Sequence, residues 1–137
     1  MKIVICGSMS AAQEMKEIGI KLRALNHEVV FPEFTDDYAA MATIDQAHAE
    51  SARNKVKYDL IRFYFEKIKQ GDAILVVNVE RKGILGYIGG NSFLEMGFAF
   101  ILDKPIYLLF QIPDMNYRDE LEAMRPIILE GDISKIS

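Results

Sequence analysis

One carboxylate stands out by its setting. Glu95 follows the glycine-rich stretch Gly86-Tyr87-Ile88-Gly89-Gly90-Asn91-Ser92. It sits among Phe93, Leu94, Met96, Phe98, Ala99, Phe100, Ile101 and Leu102, a run apolar nearly all the way round that reads as a buried helix over 93–103. Ser92 is a good N-cap, which puts Glu95 at the third helical position. Two readings of the acid stay open: it closes a capping box with Ser92, or it faces a cleft. In a cleft, its ionised form favoured by the positive helix end, it suits covalent catalysis at an anomeric carbon, attacking as a base departs. Gly86, Gly89 and Gly90 either let backbone N–H groups approach a ligand, with phosphate the natural guest, or serve a tight turn at positive φ. Their spacing fits neither a Walker loop nor the dinucleotide fingerprint.

The elements that must position this stretch read as alternating strands and helices. Lys2-Ile3-Val4-Ile5-Cys6 is a buried first strand ending at Gly7-Ser8. Ser10 and Gln13 have capping-box spacing for a helix whose Met15, Ile18, Leu22 and Leu25 share a face. Asn26 stands where a C-cap is convenient. A second strand, Glu28-Val29-Val30-Phe31, stops at Pro32, and residues 33–50 read as a lid. The pattern predicts a helix over 51–70, with Val56, Leu60, Phe63 and Lys67 on one face and Ile61, Tyr64 and Ile68 flanking it. Gly71 ends it. Strands follow at 73–77 and 106–110, then a short helix over 117–124 and a last strand at 126–129. This alternation predicts an α/β domain of three layers, a doubly wound, five-stranded parallel sheet in flavodoxin-like order 2-1-3-4-5. Ligands of such sheets bind at the switch point between the first and third strands, where Gly7-Ser8 and the glycine-rich loop meet.

Bulk composition narrows the classes. The 137 residues fit a single domain over 1–137, half hydrophobic and about a quarter charged. A net charge of −4 argues against a nucleic-acid polymer or an anionic membrane as partner, though not against a small anion held locally. The lone Cys6, the absence of a signal-peptide pattern and the lack of a membrane-length apolar run lead us to expect a cytoplasmic protein. His27, His48 and Cys6 lie far apart, so neither a metal nor a cofactor is expected.

Gly7-Ser8, the strand Asp72-Ala73-Ile74-Leu75-Val76-Val77, the motif Asn91-Ser92-Phe93-Leu94-Glu95-Met96-Gly97 and Lys104-Pro105-Ile106 occur in this order. Together they resemble the nucleoside 2-deoxyribosyltransferase family, most nearly the branch that hydrolyses 2'-deoxynucleoside 5'-monophosphates. The resemblance implies Glu95 as nucleophile, Ser92 in the place of a small residue, and Gly7 and Ser8 lining the site. It further implies a small nucleoside or nucleotide as substrate and a homodimer or higher homo-oligomer. The sequence departs from the branch at three places. A tyrosine on the first strand is replaced by Val4, an acid-supplying aspartate by Tyr64, and a serine before the glutamate by Gly89.

The expected function is therefore cleavage or transfer of the N-glycosidic bond of a 2'-deoxynucleoside or its 5'-monophosphate. The site would comprise Glu95, Gly7, Ser8, Gly89, Gly90, Asn91 and Ser92. The alternative is a nucleotide-binding or sensing module that keeps the crevice without the chemistry. Asp36, Asp37 or Asp45 could supply the missing acid and Tyr64 or Tyr87 a hydroxyl; each is also explicable as surface acid or packed aromatic. Arg81 and Lys82 either steer a phosphate or form solvated loop charges.

Overall fold

The computed structural model describes residues 1–33, 35–40 and 59–137. Five strands form one sheet: β1 (Lys2–Cys6), β2 (Glu28–Val30), β3 (Ala73–Val76), β4 (Ile106–Leu108) and β5 (Ile127–Ile128). They are all parallel and run in the order β2-β1-β3-β4-β5, the flavodoxin-like arrangement expected. Among the described residues the connecting α-helices are α1 (Ala12–Ala24), α2 (Thr35–Ala39), α3 (Leu60–Gln70), α4 (Gly90–Ile101) and α5 (Arg118–Ala123).

Consecutive strand residues point to opposite faces, so an apolar run supplies two cores at once. Ile3, Ile5, Leu75 and Tyr107 pack under α1 and α2 with Met15, Leu22 and Tyr38. Val4, Cys6, Ile74, Val76 and Leu108 pack under α3, α4 and α5 with Tyr64, Ile68, Met96, Ala99 and Leu121. Each such aliphatic side chain contributes roughly 1.5–3 kcal/mol on burial. Val4 is wholly buried in this second core.

Several helix ends differ from expectation. Ser8, not Ser10, is the capping hydroxyl, accepting from the Ser10 N–H at 3.4 Å and opening a 3-10 turn, Met9–Ala11, ahead of α1. Ser10 is consumed inside that turn, so no box with Gln13 forms. Asn26 takes φ 69°, the left-handed conformation that closes many helix C-termini. On α3 the buried residues are Tyr64 and Ile68, while Ile61 and Phe63 stay exposed. The inward stripe therefore runs one residue round from the expected one; Val56 and residues 51–58 lie outside the described residues. Of the expected lid, α2 is described, with Tyr38 buried and Asp36 paired to Lys16 at 3.1 Å. Residues 41–50, with Asp45 and His48, lie outside the described residues.

The largest revision concerns α4. It starts at Gly90, with Gly89 as N-cap and the Phe93 N–H donating to the Gly89 carbonyl at 2.9 Å. Ser92 is thus inside the first turn and buried, not at the cap. Nor is the helix buried all round: Met96 and Ala99 face the sheet, whereas Leu94, Phe100 and Ile101 are exposed. Among the described residues no helix is long and apolar enough to cross a membrane.

The loop between β3 and α4 is pinned. Arg81 and Ile84 exchange backbone hydrogen bonds around a turn with Lys82 and Gly83 at φ 54° and 75°. Gly86, at φ 74°, lies so close to the neighbouring loop that a Cβ would come 2.2 Å from the Gln111 carbonyl oxygen. Asn78, buried at the end of β3, donates to the carbonyls of Gly86, Phe110 and Gln111 at 3.0–3.3 Å and accepts from the Phe110 N–H at 2.8 Å. Asn78→Ala strips four backbone groups of their partner. We expect it to cost about 3 kcal/mol, read as a lower urea midpoint with the slope unchanged.

Candidate active site

At the switch point the loops leaving β1 and β3 separate, and the first turn of α4 lies against the gap. There a cleft of about 140 Å³ is lined by Gly7, Ser8, Met9, Ser10, Arg81, Tyr87, Gly89, Gly90, Asn91 and Ser92. It gathers every substrate-binding residue named from the sequence. Beside it, sharing Met9 and Asn91, is a chamber of about 30 Å³ walled by Glu95, Glu33, Pro32, Tyr38, Leu60, Phe63 and Tyr64.

Glu95 is buried, 4 % exposed, and forms part of the chamber wall. The Asn91 amide nitrogen donates to its Oε2 at 3.4 Å. A capping box needs the acid three residues after the cap. With Gly89 at the cap the interval is six, and no side chain caps this helix. The box with Ser92 therefore does not form. The same shift carries Glu95 past the first turn, where the favourable field of the helix end falls off.

Behind the carboxylate stand two groups that the fold keeps neutral. Cys6 is fully buried, and its thiol is pushed well up by burial first, then by the Glu95 charge and a hydrogen bond with that carboxylate. Tyr64 donates its hydroxyl to the Ile5 carbonyl. Burial, followed by the charges of Cys6, Glu95 and Glu33, raises its phenol well above the ordinary range. Tyr64 is accordingly a packed, satisfied aromatic and not the source of a proton for a leaving base. Asp36 and Asp37 are exposed and line a separate depression at the start of α2. Neither reaches the Glu95 chamber.

One residue gains importance that the sequence did not give it, and of the two readings left open for Arg81 the solvated one fails. Glu33 shares the Glu95 chamber; its signal was its position just after Pro32, at the carboxyl end of a strand beside the switch point. Arg81 is no solvated loop charge: it is 8 % exposed, donates from Nη1 to Ser8 Oγ at 3.2 Å and lies 5.5 Å from the Tyr87 ring centre. Lys82 is exposed, as a solvated loop cation would be.

Comparison with known proteins gave no match to a family model, to a curated protein or to a solved structure. Among the described residues no three His, Cys, Asp or Glu side chains gather as a metal site.

The buried thiol generates two predictions. Native Cys6 should react with iodoacetamide at pH 8 at least about a hundredfold more slowly than in urea, because the thiolate is the nucleophile and the fold suppresses it. Cys6 and Tyr64 both have folded pKa values above their unfolded ones. Their contribution to stability is therefore complete below an unfolded thiol pKa of about 8.5 and declines as pH rises through it. Urea unfolding from pH 8 to 10.5 should show that decline, at up to about 1.4 kcal/mol per pH unit for each group. It should be shallower in Cys6→Ala.

Proposed function

We propose that this protein cleaves or transfers the N-glycosidic bond of a 2'-deoxynucleoside or its 5'-monophosphate, with Glu95 as nucleophile. The observation that carries the reading is the pairing of two spaces. A buried carboxylate walls one chamber, and the uncapped N-terminus of the same helix opens into the adjoining cleft. A sugar bridging the two would bring its anomeric carbon to the acid while its 5' end lies among the backbone N–H groups of residues 90–92. The carboxylate oxygen then bonds to C1' as the C1'–N bond breaks, and the departing base keeps the electron pair and takes up a proton. Water attacking C1' releases the sugar and restores Glu95; a second base attacking instead completes a transfer. Asn91, hydrogen-bonded to the carboxylate, fixes its orientation.

A second reading, a nucleotide-binding module without turnover, has its own support. The Tyr64 hydroxyl is committed to the Ile5 carbonyl, and Val4 and Gly89 stand where the resembled branch has a tyrosine and a serine. Nucleotides would then raise the melting temperature without being consumed.

Incubation with a panel of deoxynucleosides and their 5'-monophosphates, with free base followed by chromatography, separates the two. We expect base release from at least one member, reduced at least about 1,000-fold in Glu95→Gln. Folded protein that releases no base from any member rejects the enzymatic reading.

A further inference from the structure

We propose that Glu33 is the proton-transfer residue of the chamber, giving a proton to the departing base and then taking one from the water that displaces Glu95. The role rests on the glycosidic reading proposed above and adds to it a second carboxyl from a different element.

The first observation is how the chamber is walled. Glu95 enters it from α4 and Glu33 from just beyond β2, so two carboxyls of separate origin meet one space. Chemistry at an anomeric carbon divides naturally between such a pair, one oxygen attacking while the other carboxyl moves protons. Their settings differ in the way that division requires. Glu95 is 4 % exposed and suited to bonding a carbon with water held off, whereas Glu33 is exposed and water reaches its carboxyl. None of the ion pairs among the described residues includes Glu33, so its carboxyl is not consumed by a cation there.

The second is direction. Displacement at C1' puts the leaving group on the side opposite the attacking oxygen. With the 5' end of the sugar in the cleft, the base projects toward walls that the cleft does not share, among them Pro32, Glu33, Leu60 and Phe63. Pro32, Leu60 and Phe63 offer apolar faces to a flat heterocycle. Phe63 is 43 % exposed, a large ring left partly in solvent. Glu33 is the polar group among these four, and a ring nitrogen there meets a donor.

The third is what the other groups are doing. The Tyr64 hydroxyl is given to the Ile5 carbonyl, and Tyr38 is packed in the core under α1. The Asn91 amide does not titrate. Glu33 completes the cycle with every atom accounted for. As a carboxylic acid it hydrogen-bonds a ring nitrogen; while a Glu95 oxygen bonds to C1', the C1'–N electron pair passes to the base, which takes the proton. Water then bonds to C1', the C1'–O bond to Glu95 returns its pair to that carboxylate, and Glu33 takes the proton the water loses.

A base that needs no proton tests this. The 7-methylguanine of 7-methyl-2'-deoxyguanosine is cationic while attached and leaves as a neutral molecule. Release is measured from it and from 2'-deoxyguanosine, each also as its 5'-monophosphate. Glu33→Gln should slow guanine release at least about 100-fold and 7-methylguanine release by less than about threefold; Glu95→Gln should abolish both. Unchanged guanine release in Glu33→Gln leaves the proton to solvent and overturns the proposal. Equal slowing of the two substrates overturns it too, as does a slowing confined to guanine that appears in Tyr38→Phe instead. If the wild type accepts other bases but not guanine, Glu33→Ala is given such a substrate with sodium azide. Azide attacks C1' without giving up a proton, so 2-deoxyribosyl azide should form, and its absence overturns the proposal. Folded wild type that releases no base from any substrate rejects the glycosidic reading itself; release indifferent to Glu33 rejects this role alone.

Discussion

The first turn of α4 has to be held in place with no side chain of its own to cap it. Neighbours supply the restraint. The Tyr117 hydroxyl donates to the Ile88 carbonyl just ahead of the helix, and the Tyr117 ring stacks on Phe93 with centroids 4.5 Å apart. Asn78 fastens the preceding loop to the loop after β4, and Met96 and Ala99 anchor the helix on the sheet. These contacts leave the helix end open while fixing its direction. A capping side chain would have satisfied the same N–H groups and filled the place where a ligand can sit.

The electrostatic consequence is a site with two poles. Buried charges persist in proteins only where something answers them. Glu95 is answered by Asn91 and the Cys6 thiol, which hydrogen-bond to it on the chamber wall. Arg81 is answered only in part, by Ser8 and an aromatic face. Among the described residues the two charges do not form a salt bridge with each other. The two charges lie in adjoining spaces, Arg81 at the cleft and Glu95 on the chamber wall.

Much of this frame is legible in the amino-acid pattern. Uninterrupted apolar runs such as 73–77 announce parallel strands, and their alternation with helices leaves the observed strand order as the natural one. The switch point follows, and with it the meeting of Gly7-Ser8 with residues 89–92. The start of α4 was not legible, because Ser92 has the better capping side chain and Gly89 wins by tertiary fit. That one shift dissolves the capping box. Tyr64 and Arg81 show the same limit. Phe63 and Tyr64 look equivalent in sequence, and only the crossing of α3 over β1 decides which hydroxyl or ring turns inward. A loop arginine reads as solvated until the loop is seen folded back over β1 and α4.

The engaged tyrosine also bears on how any reaction here would balance its protons. A departing base would need one, and the Tyr64 hydroxyl on the chamber wall cannot give it without abandoning the Ile5 carbonyl. Cys6 is an equally poor donor, since its loss would place two anions side by side in a buried chamber. Of the groups sharing the chamber with Glu95, Glu33 is the other carboxyl, and it is exposed to solvent. Any reaction at this site would therefore have to join an enclosed carboxylate to a proton source at the rim, whether Glu33 or solvent beside it.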